Sequence, residues 1–349
     1  MNGSVRRDLR ALPKAHLHLH FTGSLRPGTM RELAAEHGVR LPDTLQTVDS
    51  EHTPELRATD ERGWFRFQRL YDTARSVVRG VADVHRLLRE AAEDERTEGS
   101  GWLEIQVDPT SYAPYLGGLT PAVETVLDAA RAAEDATGVG VAVIIAANRT
   151  RHPLDARTLA RLAARHAGDG VVGFGLSNDE RRGRTEDFAP AFRIAARAGL
   201  LSAPHGGELS GPQSVLAALD ELGAHRIGHG VRAVEDPSLL ERLACERVTL
   251  EVCPASNVRL GVYDDHADVP LRRLCDAGVP VALGADDPLL FGSRLVAHYE
   301  AARDVHGFSD PELAELARAS VRASRAPDDV RARLLRGIDD WLASPVDPG

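Results

Sequence analysis

The chain of 349 residues sets 42 Lys+Arg against 52 Asp+Glu, a formal charge of −10, with 43% apolar and 27% charged residues. These proportions exclude wholesale disorder, and the acidic balance argues against a sequence-independent grip on nucleic acid, which needs a basic surface. No stretch reaches the roughly 20 apolar residues of a membrane span, the N-terminal MNGSVRRDLRALPK lacks an apolar signal-peptide core, and Cys245, Cys253 and Cys275 read as reduced thiols, so a cytoplasmic protein with no membrane partner is expected.

Strand-length apolar runs recur at 16–20, 102–107, 141–146, 171–176, 200–203, 226–227, 248–252 and 280–283. Helical periodicity separates most of them, at 27–37, 81–93, 120–137, 155–166, 187–198, 212–222, 237–244 and 271–277, with Thr120 as N-cap and Pro121 at the first helical position of the third. Eight strand–helix units in a chain of this length predict a (β/α)8 TIM barrel, with a doubly wound open sheet as the alternative. Some 80 residues between the first two strands form an insertion, with a polar loop at 42–61 and the aromatic cluster Trp64, Phe65 and Phe67. That cluster reads as core, or as a lid over a pocket. A helical tail is expected at 298–303, 310–323 and 328–342, and one domain over residues 1–349.

The residues that carry chemistry stand at strand ends. In the first strand, His16-Leu17-His18-Leu19-His20 places three imidazoles on one face by simple alternation. Histidines at i and i+2 suit one metal ion, and a polar strand end is the plain alternative. The fifth strand runs into Pro204-His205-Gly206-Gly207-Glu208, with a glycine pair that lets backbone approach a ligand. The sixth ends in Arg226-Ile227-Gly228-His229-Gly230, and the seventh in Cys253-Pro254-Ala255-Ser256-Asn257, whose thiol reads as small and buried rather than nucleophilic. The eighth ends in Gly284-Ala285-Asp286-Asp287-Pro288. Adjacent carboxylates repel, so one is expected to ligate a cation and the other to contact a substrate. Singly each motif is a turn or a solvated charge. Jointly they occupy the C-terminal strand ends where barrel enzymes place their chemistry.

These five motifs, the first extended to Lys14–Gly23, resemble the adenosine deaminase family in kind and order across residues 14 to 288. The resemblance implies one zinc ion per chain, held by His18, His20, His205 and Asp286, and hydrolytic removal of the 6-amino group of a small aminopurine nucleoside. It makes Glu208 the acid at purine N1 and His229 the residue that orients the attacking water, with Asp286 also in the catalytic set. It places Asp287 near N7, with His20, Thr22, Asn178 and Gly207 bordering the substrate. Zinc lowers the pKa of bound water toward about 7, and protonation at N1 makes C6 electrophilic. Lys14 is the only lysine and precedes the first strand, which excludes a metal pair bridged by carbamylated lysine. The missing Pro-Cys-x-x-Cys excludes the His/Cys-ligated nucleobase deaminases.

Three positions depart from the family pattern. His16 replaces an acidic residue, Thr22 replaces the aspartate that accepts the ribose 5′-hydroxyl, and Asn178 replaces a glycine facing N3. A substrate modified at the 5′ position is therefore expected, with 6-aminodeoxyfutalosine of menaquinone biosynthesis as leading candidate. Arg149 or Arg151 would meet its carboxylate, unless both are surface residues. The alternatives are adenosine or adenine deamination, and a non-catalytic barrel acting in binding or signalling.

Overall fold

The computed structural model describes residues 6–49 and 52–345. Eight strands, β1 (Lys14–His20), β2 (Ser100–Val107), β3 (Gly140–Asn148), β4 (Val171–Ser177), β5 (Leu201–Gly206), β6 (Arg226–His229), β7 (Thr249–Val252) and β8 (Val281–Leu283), lie in chain order. Every neighbouring pair is parallel, as helical crossovers require. The sheet then closes on itself. Leu19 bridges Asp286, the Asp286 amide donates to the His18 carbonyl at 3.0 Å, and the His20 amide donates to the Asp286 carbonyl at 2.9 Å. The fold is a (β/α)8 TIM barrel, and these seam bonds exclude an open sheet.

Several details differ from the sequence expectation for local reasons. The helix expected from Thr120 starts at Leu119, capped by Gly118 at φ 128°, so Thr120 sits inside the first turn. Ahead of Pro190, the stretch expected as one helix splits into a 3-10 turn, Thr185–Phe188, and the helix Ala189–Arg197. In the insertion, the aromatic cluster sits on a full helix, Glu61–Arg75, whose N-cap Asp60 accepts from the Gly63 amide at 2.6 Å. In β1 the register against β2 shifts between His16 and Leu19. This bulge breaks simple alternation, so His16 leaves the face shared by His18 and His20. Its Nδ1 instead donates to Glu95 of the helix Val81–Thr97 at 2.7 Å, and its Nε2 accepts from the Ala285 amide at 3.0 Å.

The tail, helices Leu295–Asp304, Asp310–Ala323 and Asp328–Ala343, covers the N-terminal ends of the strands. Ser320 accepts from the Ala15 amide, and Trp341 donates to the Asp8 carbonyl. No helix among the described residues is long and apolar enough to cross a membrane. Lys14 is fully buried, donating to the Leu9 and Glu98 carbonyls far from the strand ends that carry the chemistry.

Inside the barrel, Ile144, Leu201 and Ala203 form a small apolar cluster. Beside it runs an ionic chain. Arg226 donates to Glu251 through Nε at 2.7 Å, to Glu104 through Nη2 at 2.6 Å and to the Ala323 carbonyl through Nη1 at 2.8 Å. A guanidinium between two buried carboxylates is strongly destabilising to remove, because both charges lose their partner. Arg226→Met is accordingly expected to lower unfolding free energy by about 3–5 kcal/mol in urea denaturation. A loss below about 1 kcal/mol would contradict this reading.

Candidate active site

The seam between β1 and β8 gathers the side chains that the strand-end motifs contribute. The ligand atoms of His18, His20, His205 and Asp286 all lie within 4.8 Å of one another, an arrangement that could hold a metal ion. His20 Nε2 stands 3.1 Å from Asp286 Oδ1 and 3.2 Å from His205 Nε2, and His18 Nε2 is 3.5 Å from Asp286 Oδ1. Nε2 of His18 is buried with no hydrogen-bond partner among the described residues, although its Nδ1 donates to Glu251 Oε2 at 2.8 Å. A carboxylate on Nδ1 fixes the tautomer that turns the Nε2 lone pair toward a cation. The donor set of three imidazoles and one carboxylate suits zinc. His16 is not part of the cluster; its ring is committed to Glu95 and Ala285.

Close packing at the seam explains the glycines of the motifs. A Cβ on Gly23 would fall 1.9 Å from Asp287 Oδ1, and one on Gly228 would fall 2.8 Å from His18 Cε1. Three non-glycine residues here hold left-handed backbone, Asn178 (φ 81°), His229 (φ 64°) and Asp286 (φ 60°). Such conformations cost energy, and their clustering at the ends of β4, β6 and β8 marks a functional site.

Burial and neighbouring charges set the protonation of each group. Burial raises Glu208 well above the usual carboxylate range, with Asp286 and Glu180 adding to the effect. Burial, then Asp286, raises Asp287 likewise. Asp286 goes the other way: against the cost of burial, the neighbouring His18 and His20 imidazoles hold it well below its ordinary value. Burial opposes charge on His18, yet Asp286 and Glu251 raise it to about 10, so the cluster calls for positive charge at its centre. Burial holds His229 neutral, lowering it to about 3. Its Nε2 lies 3.6 Å from Glu208 and 3.9 Å from Asp286, and its Nδ1 faces the Asn257 amide at 3.4 Å. Cys253 is buried and its thiol pushed well up by that burial, as expected of a thiol that is not a nucleophile.

The cleft above the cluster narrows to about 70 Å³ and is lined by residues of the strand ends and of the helix Glu61–Arg75. Trp64 and Phe67 face it, whereas Phe65 points out and is 62% exposed. Asn178 accounts for the departure from glycine at its position. Its side chain accepts from Trp64 Nε1 at 3.3 Å and donates to Gln68 Oε1 at 3.0 Å, tying that helix to β4. Thr22 pairs with Tyr112 Oη at 2.6 Å.

Two expected contacts, those of Arg149 and Arg151, are not made. The Gly207 amide is committed to Glu180, and its carbonyl accepts from the Arg232 amide with a second lone pair to spare. Arg149 is buried beneath the site, donating to the His205 carbonyl at 2.8 Å and to Thr185 at 3.3 Å, and cannot reach a substrate carboxylate. Arg151 lines an outer groove with Arg62, Arg66 and Arg182 rather than the cleft itself. Conversely, Glu251, Glu180, Gln106 and Arg75 belong to the site without standing out in the motifs. Both amide atoms of Gln106 are buried without a partner among the described residues, at the wall of the cleft. Arg75 enters it from the insertion, donating to Ser111 at 2.7 Å and lying over the Tyr71 ring. A buried Glu between apolar neighbours in β7 was the one legible signal, for Glu251.

Barrel and site together give a (β/α)8 protein whose strand ends carry a cluster that could hold a metal ion beside a buried carboxyl group. A sequence profile described as adenosine deaminase matches residues 13–341. The chain is 68% identical over 339 residues to a Streptomyces coelicolor protein named provisionally as an adenosine/adenine deaminase, covering 97% of this chain and 99% of that one. It is 36% identical to an adenine deaminase of Rhizobium johnstonii, covering 94% and 99%. The crystal structure of adenine deaminase from Arthrobacter aurescens superposes with a TM-score of 0.86 at 34% identity, covering 95% of this chain and 99% of that one. The chain belongs to the adenosine deaminase family. It is a hydrolase of C–N bonds in cyclic amidines, and its chemistry is hydrolytic deamination.

Two outcomes follow from the geometry. Asn178→Gly removes both side-chain ties to the helix Glu61–Arg75 and is expected to raise KM several-fold in steady-state assays; an unchanged KM would show that the ties are incidental. An acid is active only while protonated, so with Glu208 raised, kcat/KM should fall as pH rises through a limb above the ordinary carboxylate range. A pH–rate profile already collapsing at or below about pH 4.5 would rule Glu208 out as the acid.

Proposed function

We propose that this protein deaminates, in the cytoplasm, a 6-aminopurine whose sugar end carries an anion, 6-aminodeoxyfutalosine being the leading candidate. The observation that carries this is the character of the far wall of the cleft. Where a carboxylate would accept a ribose 5′-hydroxyl, Thr22 is paired with Tyr112, and the nearby cation is Arg75. A guanidinium there favours a carboxylate or phosphate on the substrate. Arg75 takes the part expected of Arg149, and Arg151 in the outer groove would attract the same anion from further out.

His18, His20, His205 and Asp286 would hold one zinc ion, in keeping with the unpartnered His18 Nε2 and the donor set. When bound, zinc supplies Lewis acidity and a water acidic enough to attack near neutral pH. Glu208, kept neutral, gives its proton to ring N1 as the ring accepts the nucleophile. Asp287, kept protonated, donates to N7. His229, neutral and facing both Glu208 and Asp286, orients the attacking water and passes a proton toward the departing ammonia. Glu251 orients His18, and Trp64 and Phe67 shield the cleft from bulk water.

Adenine is the second reading, favoured by the printed names of the relatives. Ammonia release from adenine, adenosine and 6-aminodeoxyfutalosine separates the readings. The anionic nucleoside should be turned over best, and Arg75→Ala should lower its kcat/KM by roughly 10- to 100-fold, as the loss of one charge-assisted contact does, while sparing adenine. Turnover of adenine alone, or indifference of the anionic substrate to Arg75→Ala, would refute the proposal.

A further inference from the structure

The loop that carries Glu208 has no secondary structure to hold it. Residues 207–210 follow β5 as bends, and the next helix begins only at Pro212. Four consecutive amides there would be left as buried or half-buried donors, a situation native structures avoid. One side chain satisfies all four. Glu180 Oε1 accepts from the Gly207 amide, and Glu180 Oε2 accepts from the amides of Glu208 at 3.0 Å, Leu209 at 2.7 Å and Ser210 at 2.8 Å. Ser214 Oγ, on the helix Pro212–Leu222, donates to Oε1 as well. The carboxylate is itself buried, and the left-handed turn at Asn178 after β4 carries it across to β5. From the other side Arg149 holds the His205 carbonyl.

We infer that Glu180 is a positioning residue that fixes the 207–210 loop through five donors and thereby sets the placement of Glu208 against the substrate. Consecutive backbone N–H groups converging on one anion form a nest, which is ordinarily a site for a bound anion. Here the chain supplies the anion from the turn after the neighbouring strand β4, and the nest becomes rigid rather than receptive. Rigidity matters because a group misplaced by about 1 Å can lose on the order of 100-fold in rate. The substitution Glu180→Gln isolates the effect. Its amide presents one acceptor and one NH2 group, and in either orientation the NH2 group meets N–H donors that the carboxylate satisfied, so the Gly207 amide or the three beyond it lose their acceptor.

The test compares zinc-loaded, full-length wild type with Glu180→Gln and Glu180→Asp, on whichever aminopurine the wild type deaminates. For Glu180→Gln, kcat should fall about 100-fold while KM moves less than about threefold and zinc content is unchanged. Amide hydrogen exchange at 207–210 should accelerate roughly 10- to 100-fold without change in the β5 interior. Glu180→Asp keeps the charge on a shorter arm and should recover part of both losses. A folded, zinc-bearing Glu180→Gln with wild-type kcat overturns the inference, as does a fall in kcat that only tracks lost zinc. The inference rests on Glu208 as the acid of the proposed reaction. The exchange measurement needs no substrate, so a wrong substrate assignment leaves that arm standing and the two failures distinguishable.

Discussion

Everything at this site depends on how the barrel closes. β8 is only three residues long, and beyond it the chain pairs with β1 through a single residue, Asp286, whose amide and carbonyl bond to His18 and His20. The backbone bonds that close the sheet are therefore the bonds that hold Asp286 between the two imidazoles. A parallel sheet cannot close without matching register, and that register places a carboxylate and two histidines within reach of one cation. Asp286 accepts a left-handed backbone to do so, at an energetic cost that the seam bonds over-determine.

The second theme is that identical carboxyl groups acquire opposite roles from their surroundings. Glu251 is buried among cations, and Arg226 and His18 hold it below its ordinary value despite that burial. Glu208 is equally buried but faces Asp286 and Glu180, and burial with these charges raises it well above its ordinary value. The same side chain is thus shifted in opposite directions by its surroundings. Glu180 shows a third use, as a bound anion that replaces secondary structure for the loop it holds. None of these groups acts alone. Removing any of them changes the electrostatic balance that fixes the protonation of the others.

Much of this was legible in the motifs. The strand periodicity led to the barrel, and the His-x-His, His-Gly-Gly-Glu, Gly-His-Gly and Asp-Asp segments led to four clustered groups that could hold a metal ion and to the buried Glu208 and His229 beside them. The first histidine of the first motif, His16, leaves the shared face because a β-bulge in β1, invisible to simple alternation, turns it toward Glu95. Arg149 and Arg151 were placed near the substrate because they follow β3, yet loop direction sent one beneath the site and the other to the rim. Glu180 and Arg75 gave no signal, since each owes its importance to partners some tens of residues distant in the chain.

Residue types at strand ends, read along the chain, were enough to establish the architecture and the reaction, because barrel enzymes must build their chemistry there and few side chains can perform it. The shape of the far wall of the cleft, the upward shift of Glu208 and the convergence of its loop's amides on Glu180 were settled in three dimensions. They arise from burial and from charges brought together across the barrel, and a dielectric environment has no counterpart in a string of residues.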